Sequence, residues 1–149
     1  MIFRLLMVLL AGVMVSACKI QKNEQTAEQP AAKAQEVIPI SWVYNLDEGL
    51  KSAKTAQKPL MVDFYTDWCG WCKKLDRDVY TDARIIKLSE GFVCVKVDAE
   101  KYPADAQKYG VNGYPTIVFL KPDGTALDKI AGYAGAKEFG EFMSKIKND

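Results

Sequence analysis

The chain has 149 residues, with 20 Lys and Arg against 19 Asp and Glu, four cysteines and no histidine. A formal charge of +1 with no basic stripe leaves no footprint for nucleic acid, so no nucleic-acid partner is expected. Four cysteines without histidine supply too few grouped ligands for a structural zinc site, so no metal is expected either.

Residues 1–17 carry one charge, Arg4, ahead of an apolar run from Leu5 to Val15. That run is short for a bilayer span and suits a signal-peptide core, so 1–17 are expected to be an export signal. The segment ends Val15-Ser16-Ala17-Cys18, which resembles the lipobox of bacterial lipoproteins. The resemblance implies cleavage before Cys18, a diacylglycerol thioether on its thiol and acylation of the new amino group. Ordinary secretory cleavage after Ala17 is the alternative. More than one acyl chain would hold the protein stably at a membrane. Without Arg4 the basic and acidic residues balance at 19 each. Beyond Cys18, the stretch to Glu36 has Ile20 as its only large apolar residue, too little burial to offset the entropy of ordering. Residues 18–36 are therefore expected to be a lipidated cysteine and flexible linker reaching about 20–25 Å as a coil. A docked helix is the alternative, disfavoured by Pro30 and the lack of an apolar face.

Residues 37–149 have the size of one domain with one core. Ile40–Tyr44 is a short strand candidate, Asp47–Gln57 an amphipathic helix stopped before Pro59, and Leu60–Thr66 an apolar run of buried-strand length. A helix is expected from about Cys69 to Val79, and another capped by Asp82 and running through Leu88. Phe92–Val97 reads as a second apolar strand, and Pro103–Tyr109 as a short helix with Gly110 past its end. Thr116–Leu120 is a strand closed by the turn Lys121-Pro122-Asp123-Gly124. Leu127–Tyr133 would form an edge strand and Ala136–Ile146 a closing amphipathic helix. Alternation of this kind predicts an α/β sheet covered by helices on both faces.

The chemistry centres on Trp68-Cys69-Gly70-Trp71-Cys72. Cysteines at i and i+3 lie one helical turn apart, so their sulfurs can bridge when the first sits at a helix start. Orphan N–H groups and the positive end of the helix dipole favour a thiolate at Cys69 more than at Cys72, one turn inside. Cys69 is thus expected to be the exposed nucleophile and Cys72 the resolving thiol of a redox disulfide. Covalent haem attachment is excluded on this pattern, because Lys73 stands where its histidine would be. An inert structural disulfide competes, although closing so small a loop restricts the unfolded chain little.

The stretch Leu60-Met61-Val62-Asp63-Phe64-Tyr65-Thr66-Asp67-Trp68-Cys69-Gly70-Trp71-Cys72-Lys73 resembles thioredoxin without a gap. So does Lys96 through Thr116, including Tyr109-Gly110-Val111 and Gly113-Tyr114-Pro115-Thr116. The resemblance implies a thioredoxin fold, a central mixed sheet with helices on both faces. Lys73-Lys74-Leu75 and the turn around Tyr80-Thr81-Asp82 are more similar to exported thioredoxin-like proteins akin to the C-terminal domain of the membrane thiol:disulfide interchange reductase. Protein disulfide isomerase domains share Lys96-Val97-Asp98-Ala99 and the Gly-Tyr-Pro-Thr string.

By this resemblance Asp63 matches the buried carboxylate behind the resolving cysteine. A carboxyl in an apolar strand has a raised pKa, suited to taking the Cys72 proton through water. Lys96 matches the lysine beside that carboxylate. Pro115 matches a cis-proline facing the cysteine pair, and the Tyr114 backbone would pair with an incoming extended peptide. Trp68 would flank the nucleophile and Gly132 would leave the groove open, with Gly70 and Trp71 completing the substrate surface. Cys94 has no catalytic counterpart and is expected to be a small core residue. Trp71 departs from the family, where thioredoxin carries Pro and oxidising or isomerising relatives often His. Without a cation there, an extreme oxidant is disfavoured.

These readings combine into a monomeric thiol:disulfide oxidoreductase of the bacterial cell envelope, periplasmic and lipid-anchored to the inner or outer membrane. It would reduce disulfide-containing envelope proteins, need no soluble cofactor and be recharged by a membrane thiol relay. An oxidase or isomerase is the alternative within the same chemistry. Outside it stands a non-catalytic module that presents its groove or holds Cu(I) on the dithiol, against which the lack of nearby His and Met ligands argues.

Overall fold

The computed structural model of the chain describes residues 38–148, so the expected signal peptide, Cys18 and the linker lie outside the described residues. In chain order the elements are β1 (Trp42–Val43), α1 (Leu46–Ala56), β2 (Leu60–Tyr65), α2 (Gly70–Asp78), α3 (Ala83–Ser89), β3 (Val93–Asp98), α4 (Pro103–Lys108), β4 (Thr116–Leu120), β5 (Ala126–Ala131) and α5 (Ala136–Asn148). Successive side chains of a strand point to opposite faces, and β2 divides accordingly. Leu60, Val62 and Phe64 join Leu46, Ala53, Val95 and Ala106, so α1 and α4 cover that face. Met61 joins Leu75, Val79, Ile85, Ile117, Phe119, Phe139 and Met143, so α2, α3 and α5 cover the other.

The sheet runs β1-β3-β2-β4-β5. Parallel pairing joins β1 to β3 and β3 to β2, while β4 and β5 are antiparallel additions beyond β2. This is the mixed five-stranded sheet of the thioredoxin fold, as the sequence implied. In this topology β2 is central, and the cysteine pair lies beyond its C-terminal end, at the start of α2.

Element boundaries differ from the sequence expectation where a single cap or turn decides them. β1 has two residues rather than five, because Asn45 already caps α1, its side chain accepting the Glu48 N–H at 3.0 Å. β5 starts at Ala126 and stops at Ala131 rather than Tyr133, since Gly132 takes φ 91° and turns the chain out of the ladder. β3 sits one residue later than expected, from Val93 to Asp98, with each of Leu60 to Tyr65 finding its partner there.

Helix α1 approaches β3 through a buried Gly49, where an added Cβ would collide with Cγ2 of Val95. Helix propensity favours Ala over Gly by about 1 kcal/mol, whereas overpacking costs about 1–3 kcal/mol. Packing should win. Gly49→Ala is expected to lower stability by about 1 kcal/mol, read as a lower urea midpoint at unchanged slope; a raised midpoint would show that α1 can move off β3 freely.

Candidate active site

β2 ends at Tyr65, and the chain passes through Thr66, Asp67 and Trp68 before α2 begins. Cys69 donates its N–H to the Thr66 carbonyl at 3.2 Å and serves as N-cap of α2, with extended backbone at φ −71° and ψ 103°. Its Sγ accepts the Cys72 N–H at 3.0 Å, the place a serine or aspartate oxygen takes in an ordinary cap. Cys69 and Cys72 are joined by a disulfide, with Cα atoms 5.3 Å apart. The expected contrast in exposure between them is not found: Cys69 is 4% and Cys72 3% exposed. Bonded to Cys72 and accepting its N–H, the Cys69 sulfur is turned inward as far as its partner. What separates the two is position, Cys69 facing the orphan N–H groups and Cys72 lying inside the first turn.

Beneath this helix lies a buried charge cluster. Asp63 on β2 is in register with Lys96 on β3, and Nζ of Lys96 sits 2.8 Å from Oδ2 of Asp63. The same ammonium is 2.6 Å from Oδ1 of Asp76, which lies on α2 one turn past Cys72. Rings of Trp42, Tyr80 and Tyr65 surround it at 4.9, 5.1 and 5.2 Å. Each such contact stabilises a desolvated cation further. Burial raises the Asp63 pKa and outweighs the opposing pull of Lys96, while Asp76 adds to the rise. For Lys96 burial acts downward, but the two carboxylates outweigh it and its pKa is raised. Oδ1 of Asp63 and the Tyr80 hydroxyl, both buried, make no hydrogen bond among the described residues. The hydroxyl is near enough to ease charge on Asp63, and burial with the Asp63 charge lifts its own pKa well above a phenol's ordinary value.

Sequence reasoning missed Asp76, Trp42, Tyr65 and Tyr80. Only Asp76 carried a local signal, its i+4 spacing from Cys72, which puts both on one helix face.

At the surface the Tyr114–Pro115 peptide is cis. Trp68 is exposed, with Nε1 donating to Glu100 Oε1 at 3.0 Å and its ring edge-on to Tyr114 at 6.0 Å. Trp71 is also exposed, its ring 5.5 Å from that of Tyr133. Gly132 donates its N–H to the Pro115 carbonyl at 2.8 Å, tying the end of β5 to the cis-proline loop. An added Cβ at Gly132 or Gly70 would meet nothing within 4 Å, so both leave open space beside the pair. Trp68, Gly70, Trp71, Tyr114, Pro115 and Gly132 thus border the cysteine loop and the cis-proline loop, and Tyr133 joins them. Cys94 is buried, its Sγ 3.8 Å from the Ser89 carbonyl, and burial pushes its thiol up to about 12. It stays protonated and inert.

A cysteine pair bonded across the first turn of a helix, on a thioredoxin fold and near a cis-proline, defines a thiol:disulfide oxidoreductase of the thioredoxin type. Residues 46–147 match the family model described as a thioredoxin-like domain, and the chain belongs to this family. Protein disulfide isomerase-like 2-2 of Oryza sativa is 39% identical over 89 residues, covering 60% of this chain and 23% of that protein. Thiol:disulfide interchange protein DsbD of Vibrio vulnificus is 30% identical over 129 residues, covering 83% of this chain and 22% of that protein. The chain therefore spans less than a quarter of the length of these relatives. Among solved structures, a thioredoxin from Thermus thermophilus superposes with a TM-score of 0.66 at 26% identity, covering 73% of this chain and 88% of that one. The reduced C-terminal domain of DsbD from Neisseria meningitidis gives 0.60 at 22% identity over 67% and 92%, a likeness of fold.

The raised pKa of Asp63 has a stability consequence. Between the ordinary carboxyl value near 4 and the raised value in the fold, the folded chain keeps a proton that the unfolded chain has released. Wild-type stability falls as pH rises through that window. Asp63→Asn should gain on the wild type across it, measured by urea unfolding at steps from pH 4 to pH 9; parallel curves would show that Asp63 titrates normally. Lys96→Met should instead cost about 3 kcal/mol at neutral pH, because it strands a buried carboxyl, and less as acid protonates Asp63.

Proposed function

We propose that this chain is a reductase of protein disulfides in the bacterial cell envelope, tethered by a lipid on Cys18. The observation that carries the chemistry is the cysteine pair at the α2 N-terminus with the Asp63 carboxyl behind it on the face that α2 covers. The Cys69 thiolate attacks a substrate disulfide, forms a mixed disulfide and expels one substrate thiolate. Cys72 gives its proton to Asp63, attacks the Cys69 sulfur, and releases the second thiolate as the internal disulfide forms. Two electrons pass from the dithiol to the substrate, and a membrane thiol relay returns them. Lys96 limits how far the Asp63 pKa rises. The Tyr114 backbone holds the substrate peptide extended beside the nucleophile, against the surface made by Trp68, Gly70, Trp71, Pro115 and Gly132.

The reducing direction is supported by Gly70 and Trp71, which place no cation between the cysteines to favour the thiolate and raise the potential. The envelope location is supported by the apolar run before Cys18 and by the likeness to DsbD along 83% of the chain. No helix of the described residues is long and apolar enough to cross a membrane. The 39% identity to an isomerase-like protein favours disulfide isomerisation as a second reading.

Insulin reduction with dithiothreitol as donor tests the chemistry, and Cys69→Ser should fall to the uncatalysed rate. The reduction potential tests the direction. A value of roughly −270 mV, as in thioredoxin, is expected, whereas about −120 mV, as in strong oxidants, would reverse the assignment.

The tether is tested separately. Cys18→Ser should abolish acyl labelling and release the protein from salt-washed membranes while insulin reduction continues, since a flexible linker separates the two functions. Retention of this variant on the membrane would remove the lipid from the account.

A further inference from the structure

We infer that Tyr80 is a positioning residue for the resolving step: its hydroxyl donates a hydrogen bond to Oδ1 of Asp63 while that carboxyl is ionised, and accepts one once Asp63 has taken the Cys72 proton. This deepens the reductase reading and rests on it for the step that the hydroxyl serves.

Tyr80 is 6% exposed and follows α2, its N–H donating to the Leu75 carbonyl at 3.1 Å. Its ring is held on two sides, by Trp42 of β1 at 4.9 Å and edge-on by Phe139 of α5 at 5.7 Å. The Lys96 ammonium lies 5.1 Å from the same ring. For packing alone a phenylalanine would serve, and it would spare the cost of burying a hydroxyl without a partner. The Tyr80 hydroxyl is such a group among the described residues, and so is Oδ1 of Asp63. Native interiors keep few of these, and two in one cluster call for a common explanation. The hydroxyl is close enough to Asp63 to ease its charge, so turning the O–H toward Oδ1 satisfies both groups at once.

The two carboxyl oxygens of Asp63 are not equivalent. Oδ2 faces the Lys96 ammonium at 2.8 Å, and an ammonium donates but cannot accept. A proton on Oδ2 would oppose that contact, which leaves Oδ1 as the oxygen that takes the proton from Cys72. A hydroxyl suits this place in both states, donating to the carboxylate and accepting from the acid after rotation about its C–O bond. The phenol keeps its own proton throughout, since burial and the Asp63 and Asp76 charges lift its pKa well above the ordinary value. In the resolving step the Cys72 proton passes to Oδ1 and the Cys72 sulfur bonds to the Cys69 sulfur. The bond from Cys69 to the substrate breaks, its electron pair leaving on the substrate thiolate.

The other titratable groups around the hydroxyl are Cys94 and Lys96 on β3 and Asp76 on α2, with Tyr65 of β2 beside the same ammonium. All of them remain in Tyr80→Phe, so a difference between that variant and wild type reports the hydroxyl.

Two measurements on the full-length protein test the inference. Carboxyl-carbon NMR of aspartate-labelled protein follows the Asp63 titration, assigned by the signal that Asp63→Asn removes. Acid-quenched single turnovers of the reduced protein with insulin follow decay of the mixed disulfide from pH 5 to pH 9. A hydrogen bond to the ionised carboxyl holds its titration down by about one pH unit, so Tyr80→Phe should raise the Asp63 midpoint by about that much. Below both midpoints the ionised fraction is then about 10-fold smaller, and mixed-disulfide decay should slow about 10-fold, with the gap closing to within about twofold above them. An unmoved Asp63 midpoint would overturn the inference. So would a raised midpoint with an unshifted decay profile, because the hydroxyl would then pair with Asp63 without serving the step. A Tyr80→Phe chain that loses its fold by circular dichroism would overturn it as well, since the hydroxyl would then be structural. If wild type forms no mixed disulfide with insulin, the reductase reading fails and the positioning role with it, whereas the Asp63 titration, which needs no turnover, still decides the pairing.

Discussion

The Lys96 ammonium, held between Asp63 and Asp76 inside a ring of three aromatic side chains, is the contact on which the arrangement of the site depends. Taking a charge out of water is costly, and a pair repays that cost only when geometry is good and further polar partners are present. Here one cation meets two carboxyls, so a fully ionised cluster would leave a net negative charge in the interior. The buried member of the pair is Asp63, where uptake of a proton would relieve the excess; the Asp76 side chain is half exposed. The upward shift of Asp63 follows from this imbalance together with its burial.

That cluster is also a structural tie. Asp63 belongs to β2, Lys96 to β3 and Asp76 to α2, so one ammonium joins the two central strands to the helix that carries the cysteines. Moving α2 away from the sheet would expose or unpair the charge, which penalises any displacement of the redox pair from the acid behind it. On the open side the hydrogen bond from Gly132 to Pro115 does comparable work, fixing the end of β5 to the cis-proline loop. The disulfide thus sits between an electrostatic tie below and a backbone tie at the surface.

How far the sequence disclosed this depends on whether a feature is local. The apolar run of β2, the Asp82 cap and the Pro103 helix start were legible because each is set by a few neighbouring residues. The cysteine pair, Asp63 and Lys96 were legible through an ungapped motif, and Tyr114-Pro115 likewise, although a cis bond has no signature in composition. Trp42, Tyr65 and Tyr80 were not, since they meet only where β1, β2 and the segment after α2 converge on Lys96. Tyr133 was misread for a different reason. Extending the edge strand through it ignored that Gly132 at positive φ ends the ladder, which frees Tyr133 to face Trp71 instead of a strand neighbour.

Helix α2 keeps the two halves of the proposed chemistry apart. Its period of 3.6 residues sends Cys72, Leu75 and, just past its end, Val79 inward, where all three are buried. The same period sends Trp71, Lys74 and Asp78 outward, and it is this stripe that meets Tyr133. In the proposed reaction, proton handling at Cys72 would draw on the interior stripe and its neighbour Asp76. Among the described residues, Lys74 pairs with Asp78 on its own helix, while Lys96 pairs with Asp63 and Asp76. With about 100° per residue, Lys74 lies about 200° around α2 from Cys72, so the surface ion pair and the buried Lys96 cluster occupy different sides of the same helix.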